Sequence, residues 1–190
     1  VKRTLVVMLK EPRAGRVKTR LGRDIGMVPA AWWFRHQVRG LLRRIDDPRW
    51  QTVLAVAPDR AGIMSRVWPA HLPRIAQGGG DLGARMGRAL RRAPKGPVCI
   101  IGGDIPDITS PRIAEAFRAL GSHDAVFGPA PDGGFWLIGH RRTRALPAQL
   151  FANVRWSSAH ALADTAATLR GHSIARVATL QDVDTVADLK

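Results

Sequence analysis

The sequence predicts one three-layer α/β/α domain built on a mainly parallel central sheet. Three observations lead there. Short apolar runs alternate with helical patterns along the whole chain. Two of those runs, Val53-Leu-Ala-Val-Ala57 and Val98-Cys-Ile-Ile101, are apolar without interruption, as strands covered on both faces require. No linker, repeat or low-complexity stretch divides the 190 residues, a length at which one domain buries roughly 70% of its unfolded surface.

Taken in order, Thr4-Leu-Val-Val-Met-Leu9 reads as the first buried strand. Lys10-Glu-Pro-Arg-Ala-Gly-Arg-Val-Lys-Thr-Arg20 reads as a loop, punctuated by Pro12 and Gly15. A helix is expected over 29–45, where Trp33, His36, Leu41 and Ile45 recur at spacings of three to five. Trp32, Trp33 and Phe34 there read as packing residues. Strands over 52–57 and 73–76 flank a helix over 60–67, and a helix over 82–93 precedes the strand over 97–102. The next helix, over 111–120, has Pro111 at its first position and Thr109 or Ser110 as its cap. Strands over 124–128 and 134–139 are joined by Gly128-Pro-Ala-Pro-Asp-Gly-Gly134. A helix over 158–170, a strand over 173–179 and a short helix after Thr185 complete the chain.

Bulk composition narrows the class. No apolar run approaches the ~18 residues of a membrane span, and no signal-peptide pattern precedes the first strand, so neither membrane nor export is expected. The single cysteine, Cys99, rules out an intrachain disulfide framework, reads as a buried strand residue and fits a reducing cytoplasm. The formal charge of +15 is uneven: residues 1–100 carry 21 Lys and Arg against 6 Asp and Glu, while residues 101–190 carry 9 of each. The first half therefore attracts anions, and the second supplies most of the carboxylates. A small phosphorylated ligand needs only a few of these cations, so nucleic acid is the less expected partner.

Five cations in the loop at 10–20, directly after the first strand, point to phosphate binding. Gly15 allows close backbone approach, while Lys10, Lys18 and Arg20 neutralise and orient the anion. The central strand over 97–102 runs into Gly102 and Gly103 and delivers Asp104 at its carboxyl end, in the crevice where open α/β sheets bind ligands. A carboxylate facing a phosphate loop is a natural ligand for a hard divalent cation. Asp107 reads as a turn residue. Asp132 is explained either by a tight turn or by a shaped substrate edge. Asp182-Val-Asp184 has the form of a D-x-D metal motif, but Asp184-Thr185 before Val-Ala-Asp-Leu189 reads better as a helix cap.

Other motifs fail on context. Gly78-Gly-Gly-Asp-Leu-Gly83 matches G-x-G-x-x-G, yet Asp81 puts a carboxylate inside the would-be pyrophosphate loop, and the site is not the first strand-to-helix turn. Residues 15–19 lack the upstream glycine of an ATPase phosphate loop. The six histidines have no zinc-ligand spacing, and Ser157 and Ser158 are in no nucleophile-elbow context.

Six segments occur in an order that resembles a known family: Lys10-x-Pro12-x-x-Gly15-x-x-Lys18-Thr19-Arg20-Leu21, Gln77-Gly-Gly-Gly-Asp-Leu-Gly-Ala-Arg-Met86, Gly103-Asp104-x-Pro106, Gly128-Pro-x-x-Asp132-Gly-Gly134-x-x-Leu137-Ile-Gly139, Trp156-Ser-Ser158 and Asp182-Val-Asp-Thr-Val-Ala-Asp-Leu189. The set is similar to the bacterial glycosyltransferase-like family found beside radical-SAM and arsenosugar-biosynthesis genes. That family has the nucleotide-diphospho-sugar transferase (GT-A) fold and is related to the molybdenum-cofactor and 2-phospholactate guanylyltransferases. The resemblance implies donor-phosphate contacts from Lys10, Lys18 and Arg20, and a metal aspartate at Asp104 for Mg²⁺ or Mn²⁺. It also implies a nucleotide or sugar site near Gln77, Gly80, Asp81 and Arg85, with Asp132 beside the acceptor or a second metal position. This sequence departs from the family at Gly103, where a small hydroxyl residue is expected, at Phe135-Trp136, which replace a tyrosine-type pair, and at Ser158, which replaces a threonine.

The implied reaction is glycosyl transfer from a nucleotide-diphospho-sugar to a small acceptor. Lys18, Arg20, Asp104 and Asp132 would be its catalytic residues. Nucleotidyl transfer, in which a phosphorylated acceptor displaces pyrophosphate from an NTP, uses the same residues. A non-catalytic phosphate- or nucleic-acid-binding module is the third reading.

Overall fold

The structure, a computed structural model, describes residues 2–189. Seven strands form one sheet: β1 (Thr4–Lys10), β2 (Gln51–Ala57), β3 (Arg74–Ala76), β4 (Val98–Gly102), β5 (Ala125–Pro129), β6 (Phe135–His140) and β7 (Ile174–Arg176). Their spatial order is β3-β2-β1-β4-β6-β5-β7. Only β6 runs antiparallel, pairing β4 on one side and β5 on the other. The expected mainly parallel sheet is present.

Alternation along β1 sorts its side chains onto two cores. Leu5, Val7 and Leu9 pack with Phe34, Val38 and Leu41 of α2 (Met27–Arg44) and with Ile113 and Phe117 of α5 (Ser110–Ala119). Val6 faces the other way, with Met86 and Leu90 of α4 (Leu82–Arg92) and Leu162 of α6 (Ala161–Ala167). Helices on both faces of the sheet make the three layers.

Several boundaries differ from expectation: the helices expected over 60–67 and 158–170 are Asp59–Met64 and Ala161–Ala167, and two further differences have local reasons. The loop after β1 ends early in a short helix, α1 (Thr19–Ile25), which packs on α2. Its signals are weak: it starts at Lys18 without a side-chain cap bond and contains Gly22, whose missing Cβ makes room for the Met27 sulfur. The reading of 173–179 as strand shrinks to Ile174–Arg176, because this edge strand has β5 as its one neighbour. The remaining helix, α3 (Asp59–Met64), lies between β2 and β3, and the helix expected after Thr185 is a single 3-10 turn at Val186–Asp188. Among the described residues no helix is long and apolar enough to cross a membrane.

Candidate active site

A cleft of about 810 Å³ opens where β1 and β4 end. Three chain segments bring charge to it. Lys18 follows β1, Asp104 follows β4, and the segment after β7 supplies Asp182 and Asp184. One carboxylate oxygen from each aspartate lies within 4.8 Å of the others.

Lys18 is the centre of this group. Its backbone is left-handed (φ 47°), a conformation that costs a residue with a Cβ roughly 1–2 kcal/mol. Its ammonium lies 2.5 Å from Asp104 Oδ2 and 3.0 Å from Asp184 Oδ1. Burial alone would lower the Lys18 pKa, but the charges and hydrogen bonds of Asp104 and then Asp184 outweigh it, holding the pKa above the ordinary lysine value. Arg20, on the first turn of α1, donates to Asp184 Oδ2 at 3.2 Å and stays largely exposed.

Asp182 has the opposite problem. Burial, then the neighbouring charges of Asp184 and Asp104, push its pKa up to about 6, and Lys18 only partly offsets them. Three crowded carboxylates against the Lys18 ammonium and the largely exposed Arg20 guanidinium still leave negative charge uncompensated. The sequence reading assigned Asp184-Thr185 to a helix cap rather than to a D-x-D metal motif. The cap exists, made by Thr185 and Asp188 with the Asp184 backbone N–H also donating to Asp188 Oδ2, which leaves the Asp184 carboxylate to Lys18 and Arg20. The D-x-D spacing was the usable signal, since residues two apart in an extended segment face the same way.

The other expected residues fall as follows. Asp132 lines the same cleft but stands outside the three-carboxylate group. It sits in the β5–β6 turn, accepting the Gly134 N–H at 2.9 Å, so the turn reading and the cleft-edge reading hold together. The turn is pinned, because a Cβ on Gly133 would meet the Ala159 backbone. Lys10 and Arg16 line the cleft, whereas Gly15 lies outside the lining and turns the loop at φ 73°.

Gln77 is buried at the cleft wall, its amide donating to the carbonyls of Leu9 and Ala55 at 2.9 and 2.8 Å. Asp81 caps α4 by accepting the Ala84 N–H at 2.8 Å. Arg85 reaches back to the Gly80 carbonyl at 2.9 Å, and Arg88, not singled out from sequence, holds the Gln77 and Gly79 carbonyls. The glycine loop is therefore a braced rim, with Gly80, Asp81 and Arg85 at the cleft.

Of the three departures, Gly103 has a steric reason, and the other two are described by their local contacts. A Cβ on Gly103 would run into Leu9 and stand 3.2 Å from Val38 Cγ2, so no hydroxyl residue fits unshifted. Trp136 covers Gly128 and donates its indole N–H to the Ala178 carbonyl at 2.9 Å, fixing the chain that leads to Asp182. Ser158 uses its hydroxyl locally, donating to the Arg155 carbonyl at 2.6 Å.

Residues 41–158 match the bacterial family described as "Uncharacterized protein conserved in bacteria (DUF2064)". The chain belongs to this family. Among solved structures, this DUF2064 chain is similar to a Desulfovibrio desulfuricans G20 protein that carries the provisional name nucleotide-diphospho-sugar transferase. The two are 32% identical with a TM-score of 0.87, over 97% of this chain and 83% of the other. It shares its fold with 4-diphosphocytidyl-2C-methyl-D-erythritol synthase of Anaerococcus prevotii DSM 20548, at 10% identity and TM-score 0.61 over 98% and 94% of the two chains. It does so too with Rv0371c of Mycobacterium tuberculosis H37Rv in complex with manganese, at 15% identity and TM-score 0.60 over 99% and 96%. Curated proteins yielded no match. The fold of the DUF2064 chain is thus of the nucleotide-diphospho-sugar transferase type.

Proposed function

We propose that this protein is a divalent-metal-dependent transferase that moves a glycosyl group from a nucleotide-diphospho-sugar to a small acceptor. The observation that carries the reading is the convergence of Lys18 and Arg20 with Asp104, Asp182 and Asp184 in one cleft. Three carboxylates with oxygens this close, carrying more negative charge than Lys18 balances, match the donor set of Mg²⁺ or Mn²⁺. Asp104, Asp182 and Asp184 would hold the ion, which supplies Lewis-acid neutralisation of the donor diphosphate.

The chain's own residues do the rest. Lys18 has three N–H donors; two are engaged by Asp104 and Asp184, leaving one for a phosphate oxygen. Arg20, exposed at the cleft mouth, offers a planar fork to the same diphosphate. As the bond to the sugar breaks, charge grows on the departing diphosphate, and these cations stabilise that state more than the ground state. Asp132, at the far lip, orients the acceptor hydroxyl and takes its proton. The Manganese complex of Rv0371c supports the metal part of the reading, as a property of that protein.

Nucleotidyl transfer is the second reading, favoured by the fold shared with 4-diphosphocytidyl-2C-methyl-D-erythritol synthase. A thermal-shift panel of nucleoside triphosphates and sugar nucleotides, with Mg²⁺, Mn²⁺ or chelator, tests both. Metal-dependent stabilisation by a sugar nucleotide is expected, about 2.7 kcal/mol at a hundredfold excess over Kd. Asp104→Asn should abolish it, and retention of wild-type stabilisation in that variant would sink the metal assignment. Turnover that releases pyrophosphate from an NTP, instead of nucleoside diphosphate from a sugar nucleotide, would replace the first reading with the second.

A further inference from the structure

The cations of the first hundred residues do not all gather at the cleft. On α2, Arg35, Arg39 and Arg43 recur every four residues, forming a row about 12 Å long on one side of the helix. Arg66, between α3 and β3, joins them in the lining of a separate groove of about 400 Å³. The groove reaches Thr52 near the amino end of β2, away from the carboxyl ends of β1 and β4, and shares no lining residue with the cleft.

Like charges at four-residue spacing oppose one another on a helix. Here the only carboxylate in the lining is Asp46, and among the described residues no ion pair engages any of the four arginines. Trp68 forms part of the same wall. It lines the groove, is 3% exposed, and its buried indole Nε1 has no hydrogen-bond partner. An anion supplies the counter-charge that the four guanidinium groups lack. Phosphate suits arginine best, because the guanidinium fork matches two of its oxygens.

Leucine, valine and proline side chains make up much of the remaining lining, and the volume falls in the small-ligand range of about 300–1,000 Å³. We infer that this groove is a second binding site, remote from the catalytic cleft, for a small phosphorylated molecule with an apolar body. It is open, cationic and floored by Trp68, and its occupancy does not depend on the metal.

The test is calorimetric titration of the full chain with inorganic tripolyphosphate in chelator. Tryptophan emission is followed in parallel. Binding should persist in Lys18→Ala/Arg20→Ala and weaken at least about tenfold in Arg39→Ala/Arg43→Ala. Trp68→Phe should remove the emission change. Equal binding by wild type and the Arg39→Ala/Arg43→Ala variant, or loss only in the cleft variant, would overturn the site. A single-stranded oligonucleotide is the second arm. If it binds through the same arginines more tightly than tripolyphosphate, with affinity falling steeply in salt, the groove is a nucleic-acid face and the small-ligand assignment fails.

Discussion

Asp182 shows most directly how this site stores tension. Its pKa in the folded chain, about 6, lies above the ordinary 3.8, chiefly from burial and then from Asp184 and Asp104. A carboxyl whose pKa is raised by folding favours the fold most below its unfolded pKa and loses that advantage as pH rises through 6. Asp182→Asn should therefore stabilise the metal-free protein at pH 7.5. The expected gain is about 1 kcal/mol once partial exposure is allowed for, or roughly 2–4 °C in Tm. The gain should shrink toward pH 4.5 in scanning calorimetry with chelator. A variant less stable than wild type at pH 7.5 would show that pairing with Lys18, not carboxylate crowding, governs Asp182. Lys18 and Asp104 were legible in the sequence because each follows a strongly apolar strand. Asp182 and Asp184 were not, because a capping motif at Thr185 offered the same letters a simpler explanation.

At the scale of elements, the end of β4 is where packing and chemistry meet. Gly103 precedes Asp104, the proposed metal ligand, and lies against Leu9 of β1 and Val38 of α2, with no space for a Cβ. Gly103→Ser, which restores the residue type the family resemblance leads one to expect, should destabilise the protein by about 1–3 kcal/mol through overpacking. Chemical denaturation reads this as a lower midpoint at unchanged slope. An unchanged midpoint would mean that Leu9 and Val38 yield freely. The strong apolar strands β1, β2 and β4 matched their predicted ranges within a residue or two. Helix α1 escaped notice, since seven residues with an internal glycine and no cap bond give little local signal, and its contact with α2 carries it instead.

For the molecule as a whole, the sheet is both core and scaffold. Cys99 lies at its centre on β4, fully buried, and burial pushes its thiol far above the usual range. Ellman's reagent should leave the native protein unlabelled and modify one thiol per chain after denaturation. Labelling of the native state at a rate near that of a free thiol would show that the sheet opens. Nine of the 21 cations in residues 1–100 line two regions that share no lining residue, Lys10, Arg16, Lys18, Arg20 and Arg85 at the cleft and Arg35, Arg39, Arg43 and Arg66 at the groove along α2. Net charge alone had merged them into one anion-attracting half.

Apolar runs and their alternation with helical patterns were enough to establish the α/β class, the ranges of every strand but the last and the two charged strand ends at Lys10–Arg20 and Asp104, because burial periodicity and strand-end position are local properties. Which carboxylates would crowd around Lys18 depended on the fold. Asp104 and Asp184 are 80 residues apart in the chain, and they meet because β4 lies inside the sheet while the segment after β7 returns across its carboxyl end, where Val183 N–H bonds to the Asp104 carbonyl at 3.2 Å. Such convergence leaves no periodic trace in the sequence, since it is set by strand order and by the path of the return.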